Sequence, residues 1–167
     1  MNQVFSFPNP VNEKAARVVA GVVLLTVVAI LLTGAYWLLI PLAYGFWARV
    51  LTGPTLSPLG WTAQNVIAPR LGTRKPVPGP PKRFAQGMGA SMATLALVFW
   101  LVVGSHTATD VVLGVFAIAA GLESIFAVCL GCQVFGLLMR AGLIPDEVCA
   151  ECADLSARLQ AAGQRPA

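Results

Sequence analysis

The sequence predicts an all-α membrane protein, a four-helix transmembrane bundle followed by a short amphipathic C-terminal helix. Two observations carry this prediction. The 167-residue chain is 57% hydrophobic and only 11% charged, whereas a soluble domain uses roughly 25% charged residues to wet its surface. The apolar residues are also gathered into long stretches. No charge occurs between Arg17 and Arg49 or between Arg83 and Asp110, and Glu123 alone interrupts the stretch from Asp110 to Arg140. Each stretch exceeds the roughly 20 residues that cross a hydrocarbon core of about 30 Å. Backbone groups in lipid must be satisfied within their own segment, so helices are the expected structure.

Met1 to Asn12, with Phe5, Phe7, Pro8 and Pro10, reads as an interfacial or loose segment. The first helix is expected over 12–33, with Asn12 as cap and Glu13 in the first turn. Thr33-Gly34-Ala35 has small residues suited to signal-peptide cleavage. The segment before the apolar run is long, however, and its charges begin only at Glu13 and Lys14, so the helix is read as retained. A single helix across the uncharged stretch after Arg17 would be about 46 Å long, too long without strong tilt. A turn at Gly34 and a second, shorter helix over 35–51 are therefore expected, with Tyr36, Trp37, Tyr44 and Trp47 suited to the membrane interfaces.

Residues 52–83 contain seven prolines, which forbids a long helix and marks a soluble loop. Within it, Leu59 to Ile67 could form a short amphipathic piece on the membrane surface. A third helix is expected over 84–104, a polar turn over 105–109 and a fourth helix over 110–139, with Gly131 a possible interruption. Gly114, Ala117, Ala120, Gly121 and Ser124 would let a neighbouring helix approach closely. Residues 1–140 thus form the transmembrane domain, and 141–167 a cytoplasmic tail. In the tail, Pro145 to Gln160 is read as a short helix with Val148, Cys152, Leu155 and Leu159 on one apolar stripe.

Charge tests this topology. With four crossings, all 11 basic residues, from Lys14 to Arg165, fall on the side of the N-terminus, the 52–83 loop and the tail. The two hairpin turns on the other side receive none. The positive-inside rule then places both termini in the cytoplasm. Contact between basic residues and anionic lipid head groups accounts for the net charge of +4, with no nucleic-acid partner required. The Arg70–Arg83 cluster is read as such a contact, with docking of a partner as the alternative.

All four cysteines occur as Cys-x-x-Cys pairs, Cys129/Cys132 and Cys149/Cys152. Cysteines three apart on a helix can cycle between dithiol and disulfide, or one thiol can resolve a persulfide on the other. The cytoplasm is reducing, so a disulfide there would be transient. The same four residues also match the spacing of a four-thiolate zinc site, and a [2Fe–2S] cluster could use them too, although the first pair lies in an apolar helix. A third reading is inert packing in a scaffold or transport subunit.

For Cys149/Cys152, a first-turn position lowers a thiol pKa, while Asp146, Glu147, Glu151 and Asp154 raise it. Glu123 is the one ionisable residue deep in a predicted helix, where carboxylates are costly and usually functional. It lies about 120° around the helix from Cys129 and about 9 Å along it. It could accept a proton from the thiols, or stay neutral on a Thr, Ser or Gln of another helix. His106 lies in the outer turn and is read as solvated. No nucleotide loop, hydrolase triad or haem-ligand pair is present.

Phe7-Pro8-Asn9-Pro10 with Val11-Asn12-Glu13 and Arg17, then Ser57-Pro58-Leu59-Gly60, then Pro80-Pro81-Lys82-Arg83-Phe84-Ala85-Gln86, and finally Cys129-Leu130-Gly131-Cys132 occur in the order found in the domain-of-unknown-function 4395 family. Over about Phe7 to Arg140 the chain resembles these small membrane proteins, which are frequent in actinobacteria. The resemblance implies a location in the bacterial plasma membrane. Through the family's frequent gene neighbours, it also implies thiol or sulfur handling with a thioredoxin-like or rhodanese-like partner. Cys149 and Cys152 lie outside the resembling region.

Overall fold

Asn12 caps the first helix, its Oδ1 accepting the Lys14 N–H at 3.2 Å, as a short polar side chain before an apolar run should. The structure is a computed structural model that describes residues 9–73, 75–149 and 152. Helix α1 spans Glu13–Thr33 and ends at Gly34, whose φ of 69° needs a residue without a Cβ. A 3-10 turn, Tyr36–Leu38, leads into α2, Leu39–Thr52, with Pro41 tolerated in its first turn. The second helix therefore begins four residues later than the sequence suggests.

The proline-rich loop is more helical than expected. Ser57 caps α3, Pro58–Thr62, by accepting the Gly60 N–H at 3.2 Å. A π-helical turn, Ala63–Ile67, continues into α4, Ala68–Arg70. This stretch does not simply rest on the membrane surface, because Ala63 and Ala68 are fully buried in the core shared with α1. An unexpected two-residue pairing follows: β1, Val11–Asn12, runs antiparallel to β2, Pro76–Val77. An ion pair from Lys75 to Glu13 at 3.0 Å closes the same junction.

Helix α5 spans Gly79–Val98, five residues earlier than expected, because Pro80 and Pro81 fall in its first turn, where no intrahelical N–H is needed. A π-helical turn over Phe99–Val103 extends it to Gly104. Helix α6, His106–Phe126, starts four residues before the expected 110, because the Ser105 side chain caps it and draws most of the expected polar turn into the helix.

The continuous helix expected over 110–139 is broken. The break falls at 127–129, before Gly131, and α7, Leu130–Arg140, starts afresh. Capping explains it. Arg17 Nε and Nη2 donate to Ser124 O at 3.2 and 3.1 Å, and Nη2 donates to Ile125 O at 2.9 Å, satisfying carbonyls that a continuing helix would have used. On the far side, Cys129 Sγ accepts the Cys132 N–H at 3.4 Å and caps α7. Of the predicted tail helix, only a 3-10 turn, Asp146–Cys149, and Cys152 belong to the described residues.

Three helices among the described residues are long and apolar enough to cross a membrane: Glu13–Thr33, Gly79–Val103 and His106–Phe126. Helix α2, with 14 residues, would rise about 21 Å. Helix α1 packs on α6, and α5 packs on both α6 and α2. The core joins Val23, Val27 and Ile30 of α1, Leu39 and Phe46 of α2, Ala90, Ala93 and Ala96 of α5, and Leu113 and Phe116 of α6. Gly89 admits the Phe46 ring against the α5 backbone. Outward-facing side chains are apolar too, with Leu32 81% exposed and Leu25 70% exposed, as expected of helices solvated by lipid.

At one end of the bundle, Tyr36 joins the two hairpin turns, its hydroxyl donating to Asp110 Oδ1 at 2.9 Å and its ring 4.9 Å from that of His106. The other end gathers the starts of α1 and α5 and the ends of α2 and α6, and with them Lys14, Arg17, Arg49, Lys82 and Arg83.

Candidate functional site

The start of α5 organises the charged end. Antiparallel packing brings Lys82 to the last turn of α6, where its Nζ pairs with Glu123 Oε1 at 2.7 Å; the two side chains are 10% and 18% exposed. Arg83 Nε donates to the Val50 carbonyl at 3.0 Å. Phe84 packs on Phe135 of α7, with ring centroids 5.7 Å apart. Ala85 abuts Gly131. Gln86 Oε1 accepts from Arg49 Nε at 2.8 Å. Five consecutive residues thus contact α6, α2 and α7 in turn.

Arg49 is itself buried, its Nη1 donating to Ser57 Oγ at 3.2 Å and its guanidinium carbon 4.4 Å from the Phe46 ring centroid. The segments that carry the family resemblance, 57–60, 80–86 and 129–132, are far apart in sequence and converge here. The sequence singles out neither Lys82 nor Arg49 as a site residue. One signal points to Arg49, which is the only charged residue between Arg17 and Arg70.

Cys129 and Cys132 meet against this framework. Cys129 is buried and Cys132 half-buried, and their sulfurs are 2.6 Å apart, with both thiols free. The pair follows the helix break, so Cys129 stands at the N-terminus of α7 with a backbone N–H directed at its sulfur. The Cys132 thiol donating to Cys129 holds Cys129 below the ordinary thiol range, helped by Lys82 and opposed by burial and Glu123. The same bond, together with burial, pushes Cys132 up. Cys129 is therefore the sulfur that ionises first.

Alkylation of Cys129 in the detergent-solubilised full chain, followed by mass spectrometry, should reach half its maximal rate below the free-thiol value of about pH 8.5. Cys132→Ala removes the donor and should move that midpoint upward. Identical midpoints would show that the thiol–thiol bond does not tune Cys129.

Cys149 and Cys152 form a disulfide, with the sulfurs 2.06 Å and the Cα atoms 5.2 Å apart. Cys149 is buried, and its neighbour Val148 shares a groove with Phe84 and Phe135. Among the described residues, no three His, Cys, Asp or Glu side chains converge as a metal site would require. The four cysteines stand as two pairs, Cys129 and Cys132 free and Cys149 and Cys152 bonded. Glu123 has a lysine as its partner in place of a hydroxyl or amide, and His106 lies at the opposite end of the bundle.

These features define an α-helical membrane protein with a thiol pair and a buried ion pair at its charged end. Within that class, the chain belongs to the family described as Domain of unknown function (DUF4395), whose profile matches residues 11–140. Lys82, Glu123, Cys129 and Cys132 fall inside the matched span, and Cys149 and Cys152 beyond it. No curated protein and no solved structure matches the chain.

Proposed function

We propose that this protein is a membrane dithiol component, exchanging electrons or a sulfane sulfur with a soluble thioredoxin-like or rhodanese-like protein at the cytoplasmic face of a bacterial plasma membrane. In this reading α2 makes a fourth, short crossing, and the basic end of the bundle stays in the cytoplasm by the positive-inside rule. The observation that carries it is the Cys129–Cys132 pair, with sulfurs 2.6 Å apart at a helix N-terminus beside a buried lysine.

In electron exchange, the Cys129 thiolate attacks one sulfur of a partner disulfide. That disulfide breaks, and a mixed disulfide forms. Cys132 then loses its proton to solvent and attacks the Cys129 sulfur, closing the Cys129–Cys132 disulfide and releasing the reduced partner. Two electrons have moved to the partner, and the reverse sequence returns them. Lys82 favours the Cys129 thiolate, and Glu123 holds Lys82 in place. Cys149 and Cys152 would pass equivalents between the tail and the membrane pair.

Thiol mapping by differential alkylation under reducing and oxidising conditions tests this. Cys129 and Cys132 should convert together between free and bonded forms, and Cys132→Ser should trap a mixed disulfide with a thioredoxin-fold protein through Cys129. A pair that stays reduced and unreactive throughout would sink the reading.

A further inference from the structure

One stripe of α5 borders open space. Pro80, Arg83, Phe84, Gly87, Met88 and Ser91 recur at helical spacing and share one side of the helix. Helices α2 and α7 both pack on α5, and between them the stripe is the floor of an open groove of about 800 Å³. Trp47 and Val50 of α2 and Phe135 of α7 form its walls. Most polar atoms of the lining are already used inside the protein. Trp47 Nε1 donates to Thr94 Oγ1 at 3.1 Å, Ser91 Oγ donates to the Gly87 carbonyl at 3.0 Å, and Asn9 Oδ1 accepts the Gly79 N–H at 3.0 Å. What remains is an apolar trough, with no protein atom within 4 Å of where a Cβ on Gly87 would stand.

Arg83 is different. It is exposed, and it is the one charged residue among the described residues of the lining. Its Nε donates to the Val50 carbonyl, while its Nη1 and Nη2 have no acceptor among the described residues. Lys75 and Lys82 have carboxylate partners in Glu13 and Glu123, whereas Arg83 has none among the described residues. The order of these features along the helix matters. Arg83 lies one turn from the start of α5, at the basic end of the bundle, and Ser91 lies about 12 Å deeper along the axis. A water-soluble anion would leave the apolar length unused, and a purely apolar ligand would leave the guanidinium unused. A membrane phospholipid offers both in the same order, a phosphate at the interface and chains running inward.

We propose that this groove binds one anionic phospholipid, its phosphate on Nη1 and Nη2 of Arg83 and an acyl chain along Phe84, Gly87 and Met88 between α2 and α7. A guanidinium presents paired donors that match phosphate oxygens, and basic pockets between transmembrane helices hold lipid head groups in this way. A lipid with net negative charge is favoured because Arg83 is uncompensated, whereas a zwitterionic head group brings its own cation. The bound lipid touches α2, α5 and α7 together and so holds them in place. The site makes no use of the cysteines, so it stands or falls apart from the dithiol reading.

Dioleoyl phosphatidylglycerol is titrated against the full chain in detergent, with dioleoyl phosphatidylcholine as the zwitterionic control and glycerol 3-phosphate as a head group without chains. Native mass spectrometry counts bound lipid, and the thermal midpoint is read in parallel. Phosphatidylglycerol should be retained about fivefold or more over phosphatidylcholine, the effect of one basic residue on an anionic lipid, and should raise the thermal midpoint. Glycerol 3-phosphate at equal concentration should leave that midpoint unchanged. Arg83→Gln should remove the preference and Arg83→Lys should keep it, which separates the charge from the Val50 hydrogen bond. Gly87→Leu places a side chain in the groove, replaces a poor helix former, and should fold like the parent yet lose the retained lipid. Parent-like retention in Gly87→Leu, an unchanged preference in Arg83→Gln, or an equal midpoint shift from glycerol 3-phosphate would overturn the proposal. So would a lipid-free dimer that Gly87→Leu dissociates, which would give the groove to a second copy of the chain.

Discussion

Lys82→Met is expected to destabilise the full chain by about 3 kcal/mol, at the lower end for breaking a buried ion pair. The cause is the carboxylate left behind. Glu123 is 18% exposed in its side chain, and Lys82 Nζ, at 2.7 Å, is its one partner among the described residues. Without Lys82 its charge is left unpaired in a poorly solvated position. Replacing both partners with apolar residues removes the charge along with its counter-charge, and such exchanges are often close to neutral. Lys82→Met with Glu123→Leu should therefore recover most of the loss. Thermal or denaturant unfolding in micelles measures both. A single variant as stable as the parent, or a double variant no better than the single, would mean that the pair is not what secures α5 to α6. The single variant should also move the alkylation midpoint of Cys129 upward, because Lys82 favours its thiolate.

Gly131→Ala is expected to cost about 1–3 kcal/mol, the usual range for overpacking a closed contact. A Cβ at Gly131 would lie 2.5 Å from both Cα and Cβ of Ala85 and 3.3 Å from its N. These are backbone and Cβ atoms, so no flexible side chain can yield, and α7 must shift away from α5. Gly131 sits between the two cysteines, so the shift should also loosen the thiol pair and raise the Cys129 alkylation midpoint. Gly136, in the same helix, has nothing within 4 Å of where its Cβ would be. Gly136→Ala should therefore be neutral or stabilising by up to about 1 kcal/mol, through helix propensity alone. If both substitutions behave alike in unfolding experiments, the close approach of α7 to α5 is not a packing constraint.

Much of the fold is legible in the sequence because its signals are local. Asn12 before an apolar run and Gly34 and Gly104 after one are start and stop chemistry that neighbouring residues read. The departures have equally definite causes. Pro80 and Pro81 argue against helix by residue type, yet the first turn of a helix has no use for their missing N–H groups. Hydropathy runs unbroken through 124–130 and so predicts a continuous helix there. Arg17 ends α6 from 107 residues away, and no window of sequence contains both.

The site divides in the same manner. Spacing singles out Cys129 and Cys132, and isolation in an apolar stretch singles out Glu123. Lys82 looks like one more basic residue beside the membrane, because its partner is 41 positions distant. Arg49 and Gln86 are hidden in the same way at a separation of 37.

By itself, the sequence determined that the chain forms long apolar helices suited to lipid, where the first of them begins and turns, and that its basic residues are segregated from the hairpin turns. Those properties follow from composition and from interactions within a few residues. Tertiary structure alone decided that Lys82 meets Glu123, that Arg17 ends α6, that Gly131 seats α7 on α5, and that Cys129 is the sulfur that ionises first. Each of these depends on how helices are rotated and staggered against one another, and that is set by packing across the whole bundle.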